Sequence, residues 1–324
     1  PKDIVEETLQ GILLVNKDKV KRIGNHNVLA RIDAPIEGKV GIVIGGGSGH
    51  EPLFTEYIGK GMADASVAGG IFAAPPPDQI FEAIKVADSG NGVILLYNNY
   101  TGDVLNFNMA QDMAKDEGIK VETVLVNDEI SSAPKNRRQD RRGTTADHIL
   151  IHIAGAASEN GLSLSDLVKL LNSAVYNSRS LGVSLSGATL PETNRPTFTL
   201  EEGKMEFGMG LHGEAGIKKV DIDSADNITA TILDYLIEDL PYLADDEVVV
   251  VINGYGSTTR MEMHIIARKI YSYLQSKHIS IYSTEVGEFC TSMEMAGVSI
   301  TLVKLNNQLK KYYDLKADSP GYIK

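Results

Sequence analysis

Short apolar runs alternate along the 324-residue chain with longer segments whose apolar residues recur at helical spacing. In the first half, residues 40–44, 92–97 and 121–126 have the composition of buried strands. Between them, residues 78–87 and 108–117 carry apolar positions three or four apart, which predicts helices. Strand, helix and strand in this order favour a mainly parallel sheet that helices cover.

The second half of the chain repeats this alternation. The valine-rich run at residues 247–253 is a strong strand candidate, and helical patterns at residues 224–240 and 261–277 flank it. Further helices are expected at residues 140–161 and 164–177, and extended segments at residues 181–188, 197–200, 279–284 and 298–304.

The pattern divides the chain into two expected domains. Pro191 and Pro196 interrupt the extended stretch near the middle of the sequence. At about 150 residues per domain, the length corresponds to two domains, each able to bury a core. We therefore expect an α/β domain over residues 1–185 with a glycine-rich loop, and a second over residues 186–324. Their sheets are expected to be mainly parallel or mixed, with helices covering them.

Composition and charge narrow the function classes. With 43% hydrophobic and 23% charged residues, the chain resembles ordinary globular proteins. Its 43 acidic and 31 basic side chains give a formal net charge of −12, which argues against direct binding of nucleic acid or an anionic membrane. The single cysteine, Cys290, excludes a disulfide within the chain. No apolar run approaches the roughly 18 residues of a membrane span, and the first residues are too polar for a signal peptide, so we expect a cytoplasmic protein.

The 31 glycines exceed the usual share and gather in loops that follow predicted strands. The first loop, residues 45–52, reads GGGSGHEP. A dinucleotide fingerprint would need glycine where His50 stands, and no Lys-Ser or Lys-Thr follows, so neither a nicotinamide site nor a P-loop fits. A plain turn is an equal alternative for a bare glycine triplet. His50 favours a ligand loop, because open α/β sheets bind ligands at the carboxyl ends of their strands.

A second loop, residues 98–103, reads NNYTGD and also follows a strand. The carboxylate of Asp103 could act as a general base if it faces a substrate hydroxyl. Taken alone, however, the pattern favours an ordinary turn in which Asp103 caps the next helix.

A third loop, residues 207–216, reads FGMGLHGEAG and surrounds His212 with glycines. A neutral imidazole is a nucleophile that can add to a ketone and form a covalent hemiaminal. A lone histidine is more often a structural hydrogen-bonding residue, and that alternative remains open from the residues alone.

Two other features indicate no chemistry of their own. His148 and His152 are four residues apart on one predicted helical face, but no third ligand accompanies them, so a packed or surface pair is favoured over a metal site. The basic run KNRRQDRR at residues 135–142 is interpreted as a solvated or ion-paired loop. No motif calls for a cofactor.

Read together, the three loops resemble the dihydroxyacetone kinase K-subunit family. The segments at residues 45–52, 99–107, 205–217, 253–258 and 290–305 lie in the order and spacing of that family. The resemblance covers nearly the whole chain. It implies two α/β domains, a homodimer and a ligand site between the domains.

The resemblance also implies roles for individual residues. In the family, the histidine at the His212 position forms a hemiaminal with the carbonyl of dihydroxyacetone. The residues at the positions of His50 and Asp103 contact the terminal hydroxyl groups and help deprotonate the attacking oxygen. In the bacterial kinases a separate L subunit holds the nucleotide, which is recharged from phosphoenolpyruvate, so this chain needs no cofactor. The remaining expected ligand contacts are Gly47, Ser48, Gly49 and Asn98.

Departures from the family pattern point to a particular member. Active K subunits read Lys-Asn-Tyr where this chain has Asn98-Asn99-Tyr100. The change removes a positive charge that would favour phosphoryl transfer. The loop at residues 131–140 also differs. We therefore expect a dihydroxyacetone-binding coactivator of a TetR-type transcription activator of a kinase operon, without kinase activity. The alternative is the K subunit of a phosphoenolpyruvate-dependent dihydroxyacetone kinase, with an L subunit as partner.

Overall fold

A computed structural model describes residues 2–324 and contains, within that range, eight α-helices and fourteen strands. The helices are α1 Ile4–Val15, α2 Pro77–Ala87, α3 Thr101–Asp116, α4 Ala146–Glu159, α5 Leu164–Tyr176, α6 Ala225–Asp239, α7 Arg260–Ser276 and α8 Asn307–Tyr313. The strands are β1 Val20–Arg22, β2 Val28–Arg31, β3 Gly41–Ser48, β4 Ala65–Ile71, β5 Val93–Asn98, β6 Val121–Val126, β7 Ser178–Ser186, β8 Thr189–Leu190, β9 Arg195–Pro196, β10 Lys204–Phe207, β11 Lys218–Asp221, β12 Glu247–Gly254, β13 Ser280–Gly287 and β14 Ala296–Lys304.

The chain forms two compact units that are both discontinuous in sequence. The first comprises the chain up to Val126, together with Asp147–Ser173 and Asn307–Lys324. The second comprises Asn127–Ala146 and Ala174–Asn306. These divisions differ from the boundary expected at residues 185 and 186, because β7 pairs along its length with β14 and so belongs to the second sheet.

The first unit is built on a six-stranded mixed sheet in the order β1-β2-β4-β3-β5-β6. The strands β4, β3, β5 and β6 are mutually parallel, whereas β1 and β2 join by antiparallel pairing. Helices α2 and α3 contribute Ile84 and Phe107 to a buried core with Val43 and Leu95 of the sheet. The apolar runs at residues 40–44, 92–97 and 121–126 are confirmed as strands.

The second unit has its own six-stranded sheet in the order β11-β10-β7-β14-β12-β13. Only the β12–β13 pair is parallel. Helices α6 and α7 pack Ile232 and Ile270 against Val250 and Ile300. The predicted class of two mixed sheets covered by helices is thus confirmed. The second sheet is mostly antiparallel. The sequence could not indicate this, because a strand buried on both faces has a continuous apolar run in either arrangement.

Three local predictions were wrong in detail. The helix expected at residues 108–117 begins at Thr101, and residues 197–200 form no strand. The helix expected at residues 140–161 is a 3-10 helix, Lys135–Asp140, followed by α4. The carboxylate of Asp128 accepts hydrogen bonds from the N–H groups of Thr144 and Ala146 at 2.7 and 3.1 Å, and this contact fixes where α4 begins. Within residues 2–324, the helices lack the combination of length and apolar character that a membrane span requires.

Candidate ligand-binding site

The glycine run at the end of β3 is required in part by close packing. A side chain on Gly47 would place its Cβ 2.8 Å from the backbone nitrogen of Ala73. A side chain on Gly46 would clash with Cε2 of the Phe54 ring and place its Cβ 2.8 Å from Cζ of that ring. Both distances are shorter than real Cβ contacts, so only glycine fits at these positions. The triplet therefore shapes the loop before any ligand is considered.

His50 lies in the turn after β3 and is 4% exposed. Its ring stacks on Phe72, with 5.0 Å between centroids and 22° between planes. The Phe72 N–H donates to the carbonyl of Ser48 at 3.0 Å, and the Ser48 hydroxyl donates to the carbonyl of Gly69 at 2.8 Å. These bonds hold the segment that carries Phe72 against the loop and fix the imidazole.

Glu51 completes this loop. Its Oε2 accepts the N–H of Gly49 at 2.9 Å. Burial raises the pKa of the Glu51 carboxyl, and the charge of Glu56 adds to this, while backbone hydrogen bonds from Glu51 and Gly49 oppose it. The Gly49 N–H and the Ser48 carbonyl already have partners, Glu51 and the N–H of Phe72, so backbone contacts from Gly47, Ser48 and Gly49 to a ligand remain a prediction.

Asn98 is the last residue of β5 and is 5% exposed. Among residues 2–324, no hydrogen-bond partner lies within reach of its buried Oδ1. A buried amide oxygen is costly to leave in this state, so the position is suited to a polar ligand or a water molecule. No charged side chain stands here in this chain.

Asp103 lies in the first turn of α3, three residues after the N-cap position, which Tyr100 occupies without a side-chain capping bond. Burial raises the pKa of the Tyr97 hydroxyl, and the negative charge of Asp103 adds to the effect. The ring of Tyr97 in turn stacks on Phe107, with centroids 4.0 Å apart. Asp103 is therefore close enough to Tyr97 for its charge to act on that hydroxyl.

The first unit brings these expected residues to one edge of its sheet. Strands β3 and β5 are adjacent and parallel, with Ile44 opposite Leu96. The loop that carries His50 follows β3, Asn98 ends β5, and the first turn of α3 follows β5. The carboxyl ends of neighbouring parallel strands form the usual ligand-binding edge of an α/β sheet. His212 belongs to the second unit.

His212 lies in the loop that joins the antiparallel strands β10 and β11, whose last pair is Phe207 and Lys218. A backbone hydrogen bond within the loop stabilises it: the N–H of Gly210 donates to the carbonyl of Glu214 at 2.9 Å. The N–H of Gly216 donates to Oε1 of Glu206 at 2.7 Å. These bonds give a glycine-rich loop a defined conformation, which a nucleophile requires.

Glu214 binds both the ring and the backbone of His212. Its Oε1 lies 3.1 Å from Nδ1, and its Oε2 accepts the backbone N–H at 3.0 Å. Because an ionised carboxylate only accepts hydrogen bonds, this contact assigns the ring proton to Nδ1 and the lone pair to Nε2. The His212 side chain is 25% exposed. The imidazole is thus both oriented and accessible.

Glu214 contacts a further charged pair, Arg142 and Glu129. Nη1 of Arg142 lies 3.7 Å from Oε2 of Glu214, and Nε of Arg142 donates to Oε2 of buried Glu129 at 2.7 Å. Burial raises the pKa of Glu214, but the hydrogen bond from His212, the charge that His212 carries when it is protonated and the charge of Arg142 outweigh it and lower the pKa to about 2. Glu214 is therefore a carboxylate at any pH near neutrality.

Glu129 is the buried end of this series of charged residues in the second unit. Burial raises its pKa, while the charge and hydrogen bond of Arg142 and a hydrogen bond from Ser131 oppose the rise. The Ser131 hydroxyl donates to Oε1 of Glu129 at 2.8 Å and lies 3.1 Å from the carbonyl of Gly208, at the start of the His212 loop. The sequence analysis gave Glu214 and Glu129 no role, and it placed Arg142 only in the basic run at residues 135–142, interpreted as a solvated or ion-paired loop. The only available signal was a glutamate two positions after the histidine.

His148 and His152 are fully buried on α4 in the first unit. The ring of His148 meets Tyr322 edge-on at 4.5 Å, and Nε2 of His152 lies 2.9 Å from the carbonyl of Leu315. They form a packed pair, as the sequence favours. Across residues 2–324, the histidine, cysteine and carboxylate side chains form no group of three that could hold a metal ion.

Comparisons with known proteins agree on one family. The sequence matches the Dak1 domain over residues 10–321. The dihydroxyacetone-binding subunit DhaK of the PTS-dependent dihydroxyacetone kinase 2 of Listeria innocua is 44% identical over 321 residues, which cover 99% of this chain and 96% of that protein. The corresponding subunit of Lactococcus lactis is 38% identical, covering 95% and 92%. The solved structure of the dihydroxyacetone kinase operon co-activator Dha-DhaQ superimposes with a TM-score of 0.90 at 30% identity, covering 98% and 97%.

Proposed function

Because the chain belongs to the Dak1 domain family, we propose that it binds dihydroxyacetone and captures the ketone as a covalent hemiaminal on His212. The observation that carries this proposal is the pair of hydrogen bonds between His212 and Glu214. They hold the imidazole in one orientation and one tautomer, with the nucleophilic lone pair on Nε2.

The bond-forming step is derived from this geometry. The Nε2 lone pair attacks the carbonyl carbon, the carbonyl π pair moves to the oxygen, and that oxygen takes up a proton from solvent water. No group leaves, and nothing is oxidised or reduced. The ring gains positive charge while Nδ1 keeps its proton, and the adjacent Glu214 carboxylate stabilises that charge. Glycerol has no carbonyl and cannot react, so selectivity rests on chemistry as well as on fit.

In this proposal, His50 and Asp103 contact the terminal hydroxyl groups of the ketone. An imidazole and a carboxylate are suitable partners for hydroxyls, and both follow strands that end at the same edge of the first sheet. Asn98 would contribute its buried amide, and the backbone of Gly47, Ser48 and Gly49 would line the loop.

The role we assign to this capture is sensing without phosphoryl transfer. A neutral, buried asparagine occupies the Asn98 position, where a lysine would supply positive charge to the transferred group. The likeness to the Dha-DhaQ co-activator supports this role. The chain would then act as a homodimer that binds a TetR-type transcription activator. Its charge of −12 leaves DNA contact to that partner.

A second candidate is the K subunit of a phosphoenolpyruvate-dependent kinase, with Asp103 as base and an L subunit as partner. The 44% identity to a Listeria innocua DhaK subunit over almost the whole chain favours it. Both candidates share the capture of dihydroxyacetone and differ only in the fate of the bound ketone, which is phosphorylated in the second and not in the first.

Calorimetric titration tests the shared step. We expect dihydroxyacetone to bind with one molecule per chain and glycerol to give no heat. The His212→Ala variant should lose binding, whereas His264→Ala, which removes an exposed histidine from α7, should bind like the wild type. Equal binding by His212→Ala would refute the proposal.

A further inference from the structure

The 3-10 helix Lys135–Asp140 is a basic segment on an acidic chain, and none of its residues is buried. It lies in the second unit. Arg137 is paired with Asp140 at 3.2 Å within the segment. The Lys135 ammonium lies 3.4 Å from a neutral partner, the carbonyl of Glu238. The segment therefore carries more positive charge than its own carboxylate balances.

Beneath the segment, two buried arginines share one carboxylate. Arg141 donates from Nη1 and Nη2 to the two oxygens of Asp239, at 2.8 and 2.5 Å. Arg179 also donates to Asp239, from Nε. Burial raises the pKa of Asp239, but the two guanidinium groups outweigh this and lower it. Both carboxylate oxygens of Asp239 thus accept hydrogen bonds from these two arginines.

Arg138 is the third guanidinium of this cluster. Its Nη2 donates to the carbonyl of Val175 at 2.5 Å, and its guanidinium carbon lies 4.6 Å from the ring centroid of Tyr176. Burial lowers its pKa to about 10, and the positive charges of Arg179 and Arg141 add to this, against weaker opposing effects of Tyr176 and Asp239. No carboxylate among residues 2–324 lies within ion-pair distance of Arg138.

The surroundings of Arg138 resemble a protein interface. Tyr176 is 60% exposed, and it presents its ring beside the guanidinium. Tyrosine and arginine are enriched where proteins bind one another. A guanidinium held in place has N–H groups suited to a carboxylate and loses little side-chain entropy on binding. The acidic surface of the whole chain disfavours nucleic acid as the occupant.

We propose that Arg138, flanked by Lys135, Arg137 and exposed Tyr176, is a docking site for an aspartate or glutamate side chain of a protein partner. This inference deepens the proposed function, since that function requires a protein partner. It names the surface and the chemistry of the contact.

A fluorescein-labelled deca-glutamate peptide serves as the probe, with binding measured by fluorescence anisotropy at low salt. We expect the full chain to bind it, Arg138→Gln to weaken binding by about tenfold or more, and added salt to weaken wild-type binding. Arg138→Lys keeps the positive charge but loses the planar arrangement of guanidinium N–H donors. Its affinity for the peptide should therefore lie between those of the wild type and Arg138→Gln. Arg195→Gln makes the same charge change on exposed β9 and should bind like the wild type.

Two outcomes would overturn the inference. One is the absence of peptide binding by the wild type, whether or not inorganic phosphate binds at Arg138, and the other is an equal loss of peptide binding in Arg138→Gln and Arg195→Gln. Thermal melting of each variant separates loss of binding from loss of folding. The peptide assay contains no dihydroxyacetone, so it can fail while ligand capture succeeds, and His212→Ala should leave peptide binding intact.

Discussion

The Nδ1 atom of His212 lies 3.1 Å from Oε1 of Glu214, and the backbone N–H of the same histidine donates to Oε2 of the same carboxylate. One side chain thereby fixes both the position of the loop and the tautomer of its imidazole. Arg142 and Glu129 stand behind Glu214 and hold it in turn.

Glu214→Gln should weaken dihydroxyacetone binding by about tenfold or more, because an amide supports a cationic ring less well than a carboxylate does. Calorimetric titration measures the change. Glu201→Gln removes the same charge from an exposed site and should leave binding unaltered. If the two variants bind equally, Glu214 does not support the adduct.

Arg142→Met should lower the free energy of unfolding by about 3 kcal/mol, because it leaves the buried Glu129 carboxylate without its guanidinium partner. Urea unfolding measures this loss. Adding Glu129→Gln to Arg142→Met should recover most of it, since the unpaired buried charge is then gone. A double variant no more stable than Arg142→Met alone would show that the pair is not the cause.

The depressed pKa of Glu214 predicts a pH dependence of stability. In the folded chain the pKa is about 2, below the ordinary value of 4.5, so the ionised form is favoured by folding. Its contribution is fully present above pH 4.5 and is lost as the pH falls toward 2. The stability difference between wild type and Glu214→Gln should therefore shrink as the pH falls from 4.5 toward 2. A difference that is unchanged down to pH 2 would contradict the assignment.

Asn98→Lys tests whether the absence of a positive charge at this position prevents phosphoryl transfer. The chain is mixed with L and M subunits, phosphoenolpyruvate and dihydroxyacetone, and pyruvate release is followed. We expect little turnover from the wild type and at least about tenfold more from Asn98→Lys. Asn108→Lys adds the same charge to an exposed site on α3 and should have no effect. Rapid turnover by the wild type would establish the K-subunit alternative instead.

The strands that sequence predicted best are those with long apolar runs, such as β3, β5 and β12. The strand β4 was not predicted, because two adjacent glycines interrupt its apolar run. The start of α4 depends on Asp128, which lies in a separate loop. Such a tertiary contact leaves no periodic signal in the sequence.

The residues of the candidate site were likewise predicted only in part. Glycine-rich motifs located the loops of His50 and His212, since glycine is needed where the backbone turns tightly or packs closely. The chain of contacts from Glu214 through Arg142 to Glu129 joins residues from distant parts of the sequence. Only folding brings them together, so no local motif could indicate it.

Covalent capture on His212 is the central claim, and carbon-13 NMR tests it most directly. Dihydroxyacetone labelled at its carbonyl carbon is mixed with the full chain. We predict that the bound carbonyl resonance is replaced by that of a saturated carbon bonded to nitrogen and oxygen, in the wild type but not in His212→Ala. A bound ligand that keeps its carbonyl resonance in the wild type would contradict the account.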